Sequence, residues 1–295
     1  MAWTGPWQAQ GEWYRGSLHI HTQASDGALT PAEVVEKYRA AGYHFICITD
    51  HDRFTDASGA SSDDFLVLGG IEICCGKNQI ARLYHVLGVG IQSSIRLAPD
   101  MTPQQAVSAI SERAGLAFVA HPYWSGHTCE DLIQLEGVTG LEVFNGLCEM
   151  GWGKGLSVVQ WDDLLYRRKQ WLALAVDDFH GPPRQDLGRG WVVIRAQSLD
   201  EKAILNSLAK GMFYSSQGPR ILDLELRGRA LRARCSGSRR IDFVFDTEPG
   251  LRIEAEPGKS LFEAQFTLPE DAAWVRVQCQ DATGLTAWSN PIFLT

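Results

Sequence analysis

The sequence predicts an α/β fold, either a parallel barrel or a doubly wound sheet, followed by a small antiparallel β-sandwich. Up to about residue 215, short apolar runs alternate with amphipathic helical segments, which is typical of parallel α/β folds. From about Pro219 the hydrophobic period changes from 3.6 to 2, as in half-buried antiparallel strands. The chain has 295 residues and is 45% hydrophobic, which is sufficient for two such units.

Eight apolar runs of four to seven residues are the predicted strands of the first unit. Their nearly continuous hydrophobicity is typical of parallel strands that are buried on both faces. The runs are Leu18 to His21, Phe45 to Thr49, Val67 to Ile73, Tyr84 to Val89, Ala117 to Ala120, Leu141 to Phe144, Leu172 to Val176 and Trp191 to Ile194.

Helix-start signals lie between several of these runs. Thr30 to Glu33 has the capping-box pattern with proline at the first helical position, and Thr102 to Gln105 repeats it. The first helix is predicted to end before Gly42 and the second at Gly115. Two more helices are predicted, one from Ser198 to about Gly211 and one over Ser157 to Lys169.

The last part of the chain alternates apolar and polar residues over Ile221 to Arg227 and again over Val275 to Cys279. About six short strands with turns between them predict the β-sandwich. Turn-forming residues at Ser215 to Pro219 indicate the boundary. We therefore predict a first domain over residues 1–218 and a second over residues 219–295.

The composition excludes several classes of protein. The 35 acidic residues outnumber the 27 basic ones, and the net charge of −8 argues against nucleic-acid partners larger than nucleotides, because phosphate contacts need a basic surface. No stretch is apolar for long enough to span a membrane. Met1 to Trp7 has no features of a secretory signal, and the seven cysteines include no C-x-x-C pair, so we expect a cytoplasmic protein with reduced thiols.

Most histidines lie on the predicted strands or directly after them, where α/β folds form their sites. Six of the eight histidines are placed in this way, with carboxylates beside them. Imidazole and carboxylate are ligands for zinc, iron and manganese. Each short motif alone is a weak signal, but their joint placement predicts a metal site with several ions. The predicted ligands are His19, His21, Asp26, His51, Glu72, His85, His121, Asp178 and His180.

These motifs together resemble those of the PHP (polymerase and histidinol phosphatase) family over residues 17 to about 215. All nine usual ligand positions of that family are filled. The ending Thr286 to Phe293 resembles the tail of a two-domain branch that includes proteins similar to carbaryl hydrolase. The motifs that carry the resemblance are His19-Ile20-His21-Thr22 with Ser25-Asp26-Gly27, Thr49-Asp50-His51-Asp52, Gly70-Ile71-Glu72-Ile73, His85, His121-Pro122 and Asp178-Phe179-His180.

The resemblance implies a distorted seven-stranded (β/α) barrel that holds two or three divalent ions, which are zinc, manganese or iron. The first ion would be held by His19, His21, Glu72 and Asp178. Glu72 would bridge to a second ion, held also by His85 and His121. The third ion would be held by Asp26, His51 and His180.

The resemblance also implies a hydrolase. Three divalent ions bring +6 against −3 from Asp26, Glu72 and Asp178, and a bridging hydroxide leaves the centre near +2. That charge favours an anionic substrate. We therefore predict a phosphoesterase in which the hydroxide attacks a small phosphate ester, Glu72 holds the ions, and Asp178 or His180 protonates the leaving group.

Several alternatives stay open. They are hydrolysis of carboxyl or carbamate esters at the same centre, a metal-binding module without turnover whose sandwich docks a partner, and nucleic-acid processing, which the acidic balance disfavours. A homodimer is also left open. The candidate substrate-binding residues are Arg53 and Arg184 as anion clamps, Tyr123 as a pocket wall and Asn145 at a strand end. Surface charge or core packing is the alternative interpretation of each.

Overall fold

Strands and short helices alternate over the first two thirds of the chain. The computed structural model describes residues 3–247 and 250–294. The predicted domain limits at residues 1 and 295 lie outside the described residues, as do Met1 and Ala2 of the segment that was examined for a secretory signal. Among the described residues, no helix has the length and apolar character that a membrane span needs. The strands are β1 Glu12–Ser17, β2 Phe45–Ile48, β3 Leu66–Lys77, β4 Leu83–Val89, β5 Leu116–Val119, β6 Gly140–Asn145, β7 Leu172–Val176, β8 Trp191–Ala196, β9 Phe213–Ser216, β10 Ile221–Arg227, β11 Ala230–Ser238, β12 Arg240–Phe245, β13 Leu251–Glu254, β14 Leu261–Thr267, β15 Trp274–Gln280, β16 Thr286–Ser289 and β17 Ile292–Phe293. The helices are α1 Pro31–Ala40, α2 Pro103–Ser111, α3 Pro122–Ser125, α4 Cys129–Leu132, α5 Gly146–Trp152, α6 Val158–Tyr166 and α7 Glu201–Ala209, with one 3-10 turn at Ser58–Ala60.

The starts of α1 and α2 agree with the prediction because they depend on local capping. Thr30 Oγ1 accepts a hydrogen bond from Glu33 N at 3.3 Å, and Glu33 Oε2 accepts one from Thr30 N at 2.8 Å. The same reciprocal pair begins α2. Helix ends fray and are less well specified by sequence. Accordingly, α2 ends at Ser111 rather than Gly115, and α6 is shorter at both ends than the predicted Ser157 to Lys169.

The strand directions differ from the predicted parallel arrangement. β1, β2 and β3 are parallel neighbours, as are β5, β6 and β7, but β4 is antiparallel to both β3 and β5. The parallel prediction was wrong for β4, because only residues 78–82 connect β3 to β4, whereas a parallel pair needs a crossover of a dozen or more residues. The reversal places the start of β4 beside the carboxyl ends of β3 and β5, so His85 still reaches the same edge of the sheet.

The first strand begins and ends earlier than predicted. The run Leu18 to His21 continues beyond the end of β1, with one isolated bridge between Ile20 and Phe179. His21 N donates to Phe179 O at 2.8 Å, and Phe179 N donates to His19 O at 3.3 Å. These bonds join the end of β1 to the end of β7, the last strand in the sheet order. His19 and His21 therefore lie where the chain leaves β1.

The sheet continues into the last third of the chain. Its order runs β13, β12, β15, β16, β9, β8, β1 and then β2 to β7, with β9 joined to β16 through Ser216 and Ala287. In the described residues, eight strands follow the predicted boundary rather than about six. β10, β11 and β14 form a second sheet, and its Leu224 and Leu231 share a buried cluster with Phe243 of the first. The division into two domains stays a prediction.

A buried arginine joins β15 to the helix α6. Arg276 donates from Nε to Asp162 Oδ1 and from Nη2 to Asp162 Oδ2, each at 2.7 Å. Its guanidinium lies 4.9 Å from the centroid of the Trp161 ring, and the side chain is almost fully buried. Because a buried charge costs several kcal/mol unless it is paired, folding stability depends on Asp162.

We expect Asp162→Asn to lower the free energy of unfolding by about 3 kcal/mol, because it leaves the buried charge of Arg276 without its partner. Urea unfolding at neutral pH measures the change. Glu256→Gln is the control, since it removes the charge of one member of an exposed ion pair with Lys259 and should cost less than about 1 kcal/mol. Equal, small losses in both variants would contradict this account of Arg276.

Candidate metal centre

All nine predicted ligand side chains lie in one cluster at the edge where the chain leaves β1, β2, β5 and β7. Their imidazole nitrogens and carboxylate oxygens form overlapping sets whose atoms lie within 4.8 Å of one another. Glu72 belongs to two of the sets, so it is placed to bridge. The sets are His19, His21 and Glu72; His19, His121 and Asp178; Glu72, His85 and His121; and His21, Asp26, His51 and His180.

Glu72 lies at the centre of the cluster, and its side chain is almost completely buried. Its oxygens contact five of the six predicted histidine ligands. Oε1 is 2.8 Å from His85 Nδ1 and 3.2 Å from His121 Nε2, while Oε2 is 3.0 Å from His51 Nδ1 and 3.2 Å from Nε2 of both His19 and His21.

Two further carboxylates complete the cluster. Asp178 Oδ1 is 3.3 Å from Nε2 of both His19 and His21. Asp26 Oδ2 is 3.2 Å from His180 Nε2, and the Asp26 side chain is 54% exposed. Asp178 therefore belongs to the buried part of the centre, and Asp26 lies at its solvent-exposed side.

Sharp backbone turns direct two of the predicted ligands. Asp178 has a φ of 55° and His121 a φ of 30°, both in the left-handed region that residues other than glycine rarely adopt. Such residues cost about 1–3 kcal/mol each and are concentrated at functional sites. Pro122 begins α3 directly after His121, so the chain turns away from β5 at the ligand.

Glu142 on β6 supports the cluster although it is not a predicted ligand. It is fully buried and accepts hydrogen bonds from His19 Nδ1 at 2.6 Å, His121 N at 2.7 Å and Asn145 Nδ2 at 2.9 Å. A carboxylate on the second nitrogen of a ligating imidazole fixes the ring and its tautomer. The only signal in the sequence was one acid inside the apolar run Leu141 to Phe144.

Asp50 holds the loop that carries Asp26. It is fully buried and accepts hydrogen bonds from Thr22 N at 2.7 Å, Thr22 Oγ1 at 2.8 Å and Ser25 Oγ at 2.7 Å. Asp50 lies within one of the quoted motifs, but its role as the anchor of a distant loop was not predicted.

Cys74 is a further neighbour of the centre that the sequence analysis missed. Its Sγ lies 3.4 Å from His51 Nδ1 and 3.9 Å from His85 Nε2. The three side chains form another set with metal-ligand spacing. Alternation along β3, which puts Cys74 on the same face as Glu72, was the signal available for it.

The donor set fits divalent metal ions. Glu72 Oε2 and Asp178 Oδ1 are buried and have no hydrogen-bond partner among the described residues, although imidazole nitrogens lie 3.0–3.3 Å away. His19 Nε2 and His21 Nε2 are 3.0 Å apart. Donor atoms that bind one ion at about 2.0–2.2 Å come about 3 Å from one another. The spacing and the unpaired oxygens therefore both suit ions held between these side chains.

The pKa values of these groups reflect the attraction between opposite charges. Burial favours the neutral form of Glu72, but the imidazoles of His19 and His85 outweigh it and hold the pKa of Glu72 well below its usual range. Burial also opposes the charged form of His21, yet the neighbouring carboxylates of Asp178 and Glu72 raise its pKa to about 9. Metal ions must displace protons from such rings, so metal affinity falls as the pH falls.

The cluster opens into a cavity of about 180 Å³. Among the four predicted substrate-binding residues, Arg184 lines this cavity. Arg53 is exposed and Tyr123 is 41% exposed, and neither is among the described residues that line it. Asn145 is fully buried, where its Nδ2 donates to Glu142 and to Asp178, the latter at 3.1 Å, and its Oδ1 accepts from Cys148 N at the start of α5.

The two histidines outside the predicted pattern make structural contacts. His44 Nδ1 accepts a hydrogen bond from Arg15 N at 3.0 Å. The His127 ring stacks on Tyr84 with centroids 4.2 Å apart, and its Nδ1 accepts from Asn78 Nδ2 at 3.0 Å. Burial lowers the pKa of His127 to about 4, so this ring is neutral near neutral pH.

The comparison with protein families finds a match over the first part of the chain. The family model of the PHP domain matches residues 17–121 of this chain. The match contains seven of the nine predicted ligands, and Asp178 and His180 lie beyond it.

Individual proteins are similar to all or part of this chain. The chain is 26% identical over 145 residues to an uncharacterized protein of Methanocaldococcus jannaschii, covering 44% of this chain and 81% of that protein. It is 34% identical over 80 residues to the 3',5'-nucleoside bisphosphate phosphatase of Chromobacterium violaceum, covering 25% of this chain and only 27% of that enzyme. A two-domain protein of Bacteroides vulgatus, which contains a predicted PHP-like metal-dependent phosphoesterase, has a similar fold. The TM-score is 0.55 at 15% identity, covering 96% of this chain and 95% of that one.

We expect Glu142→Gln to weaken metal binding about 10–100-fold, because a neutral amide holds the His19 ring less firmly than the carboxylate does. Competition with a coloured chelator for zinc measures the affinity. Glu136→Gln, at an exposed glutamate, is the control and should leave the affinity unchanged. An unchanged affinity in Glu142→Gln would contradict the role of Glu142 at the centre.

We expect His127→Gln to change how stability depends on pH. The pKa of His127 falls from 6.5 to about 4 on folding, so its contribution is complete above about pH 6.5 and is lost as the pH falls through about 4. The contribution is at most about 3 kcal/mol. Thermal unfolding with a chelator present should show that, from pH 7 to pH 4, the unsubstituted protein loses more stability than His127→Gln does. Equal losses of stability in the two proteins would show that His127 does not couple stability to pH.

Proposed function

We propose that this protein is a metal-dependent phosphoesterase that hydrolyses a small phosphate ester. The observation that carries the proposal is the nine-residue cluster around Glu72 in a chain that matches the family model of the PHP domain over residues 17–121. The name of the Chromobacterium violaceum relative, a bisphosphate phosphatase, supports the same reaction class. In the reaction, a water oxygen bonds to phosphorus, the bond from phosphorus to the ester oxygen breaks, and the leaving group takes up a proton.

The cluster supplies the ligands for two or three divalent ions. Such ions lower the pKa of water from about 15.7 to about 7 and stabilise negative charge on phosphoryl oxygens. Glu72, with histidines on both of its oxygens, would bridge two ions. The histidine-rich set, with the Cys74 thiol beside it, suits zinc or iron better than magnesium or calcium.

Arg184 is the side chain that we assign to anion binding, since it lines the cavity together with Glu72 and Asp178. Its planar guanidinium can donate two parallel hydrogen bonds to phosphate oxygens. The carboxylates of Asp26, Glu72 and Asp178 bring −3 against +6 for three divalent ions. The occupied cleft is therefore positive, and it favours a phosphate over a neutral ester.

His180 and Asp178 are the residues that we assign to proton transfer to the leaving group. His180 Nδ1 donates to the backbone oxygen of Asp178 at 2.9 Å. A neutral His180 therefore has an unprotonated Nε2, which faces Asp26 at 3.2 Å and suits a metal ligand. Only a doubly protonated His180 can donate from Nε2. Asp178 can donate only after it takes up a proton from the attacking water, because His19 and His21 outweigh burial and hold its pKa well below the usual range.

We further propose that the catalytic unit is residues 1–218, with β1 to β7 as a distorted seven-stranded barrel, and that residues 219–295 form a β-sandwich. The bridge between Ile20 and Phe179 supports closure of the barrel, because it joins β1 to the last strand of the sheet. The buried cluster shared by the two C-terminal sheets supports the sandwich.

The test is metal analysis followed by a substrate panel. We expect the purified protein to bind zinc, manganese or iron and to hydrolyse a phosphomonoester or a phosphodiester faster than an aryl carboxyl ester or an aryl carbamate. His121→Ala should lower metal content and reduce turnover by at least about 100-fold, because metal activation of water is lost.

His127→Gln is the matched control, since this buried histidine lies outside the cluster, and it should keep both metal and turnover at neutral pH. Turnover of only the carboxyl esters would replace the phosphoesterase proposal with the esterase alternative. A protein that binds one of the three metals but hydrolyses none of the four substrates would favour the non-catalytic alternative, and one that binds none of the metals would overturn the metal centre itself.

A further inference from the structure

Two tryptophans line the cavity of the metal centre, and the sequence analysis did not identify them as a pair. Trp124 lies in α3, and Trp152 is the last residue of α5. Their ring centroids are 5.7 Å apart with an interplanar angle of 58°. Trp152 is 58% exposed, which is unusual for the largest apolar side chain and leaves ring surface open to solvent beside the cluster.

Both rings are tied to the metal centre. The Trp124 ring meets His121 edge-on with centroids 5.0 Å apart. The helix that carries Trp152 follows directly after Asn145, whose side chain caps it and also donates to Asp178. The positions of the two rings relative to the cluster are therefore set by the same contacts that set the ligands.

The size of the cavity indicates which part of a substrate these rings would contact. At about 180 Å³ it is smaller than the 300–1,000 Å³ of most ligand pockets, so it accepts little more than an ester head group. The rest of a substrate must leave through the opening, where exposed tryptophan surface is available. A tryptophan ring can stack on any planar aromatic ring, whatever its substituents, because every such ring presents a π-face.

We propose that Trp152 and Trp124 form a subsite for a planar aromatic group carried by the phosphate ester, and that these two residues set the substrate preference of the centre. This inference rests on the proposed phosphoesterase function. Arg184 and the metal cluster then bind the phosphate, and the tryptophans bind the ring. A phenyl ring and a nucleobase share the required chemistry.

The first experiment compares KM for phenyl phosphate, a nucleoside monophosphate and glycerol phosphate. Trp152→Ala should raise KM for one or both aromatic substrates about tenfold, equivalent to about 1.4 kcal/mol, and leave glycerol phosphate and metal content unchanged. Val159→Ala is the control, since Val159 is 78% exposed and lies outside the residues that line the cavity. Equal changes for aromatic and non-aromatic substrates would overturn the subsite but leave the phosphoesterase proposal intact. Which aromatic substrate is affected distinguishes a nucleobase from a simple aryl group.

The second experiment does not depend on turnover. Calorimetry should show that the metal-loaded protein binds phenylphosphonate about tenfold more tightly than methylphosphonate, and that Trp152→Ala and Trp124→Phe reduce this ratio. A ratio near one in the unsubstituted protein would overturn the subsite. A clear ratio in a protein that hydrolyses no phosphate ester would support the subsite and overturn the proposed function. Failure to bind either phosphonate would overturn both.

Discussion

The interaction on which the rest of the structure depends is the compensation of one buried carboxylate, Glu72. A carboxylate without water is unstable in its charged form unless opposite charges surround it. Five imidazole nitrogens lie within 3.2 Å of its oxygens and supply that compensation. The segments that carry these histidines must all come to the same point, which constrains where the strands end. Glu142 and Asp50 extend the requirement outwards, because each fixes a ligand or the loop that carries one.

The grouping of the nine side chains could be predicted from the sequence because their positions depend on local patterns. Alternation puts His19 and His21 on one face, and apolar runs show where the chain leaves the interior, as at His121. Strand direction could not be predicted from those patterns, since hydrophobicity is the same in either direction. The length of the connection 78–82 carried that information, and the reversal of β4 did not move His85 out of the centre because the start of β4 lies at the same edge.

The supporting residues were missed for a different reason. Glu142, Asp50 and Trp152 act through partners that are distant in the chain, such as His19 for Glu142. No spacing in the sequence links those pairs, and only the packed strands bring them together. Cys74 is the exception, because alternation from Glu72 would have placed it at the centre. The same limit applies to Asn145. Its position at a strand end was predicted, but its burial and its hydrogen bonds with Glu142, Asp178 and Cys148 depend on the packed structure.

The charge of the whole chain and the charge of the cleft have different consequences. A net charge of −8 repels anions at long range, but at physiological ionic strength this repulsion is screened over about 8 Å. Inside the cleft, screening is weak, and the charges that matter are those of the carboxylates, of Arg184 and of the ions that the cluster would hold. The aromatic rings of Trp124 and Trp152 add no charge there and lower the local dielectric. In the proposed reaction they would therefore strengthen the attraction between a phosphate and the centre, and they would offer a contact surface to an uncharged part of the substrate.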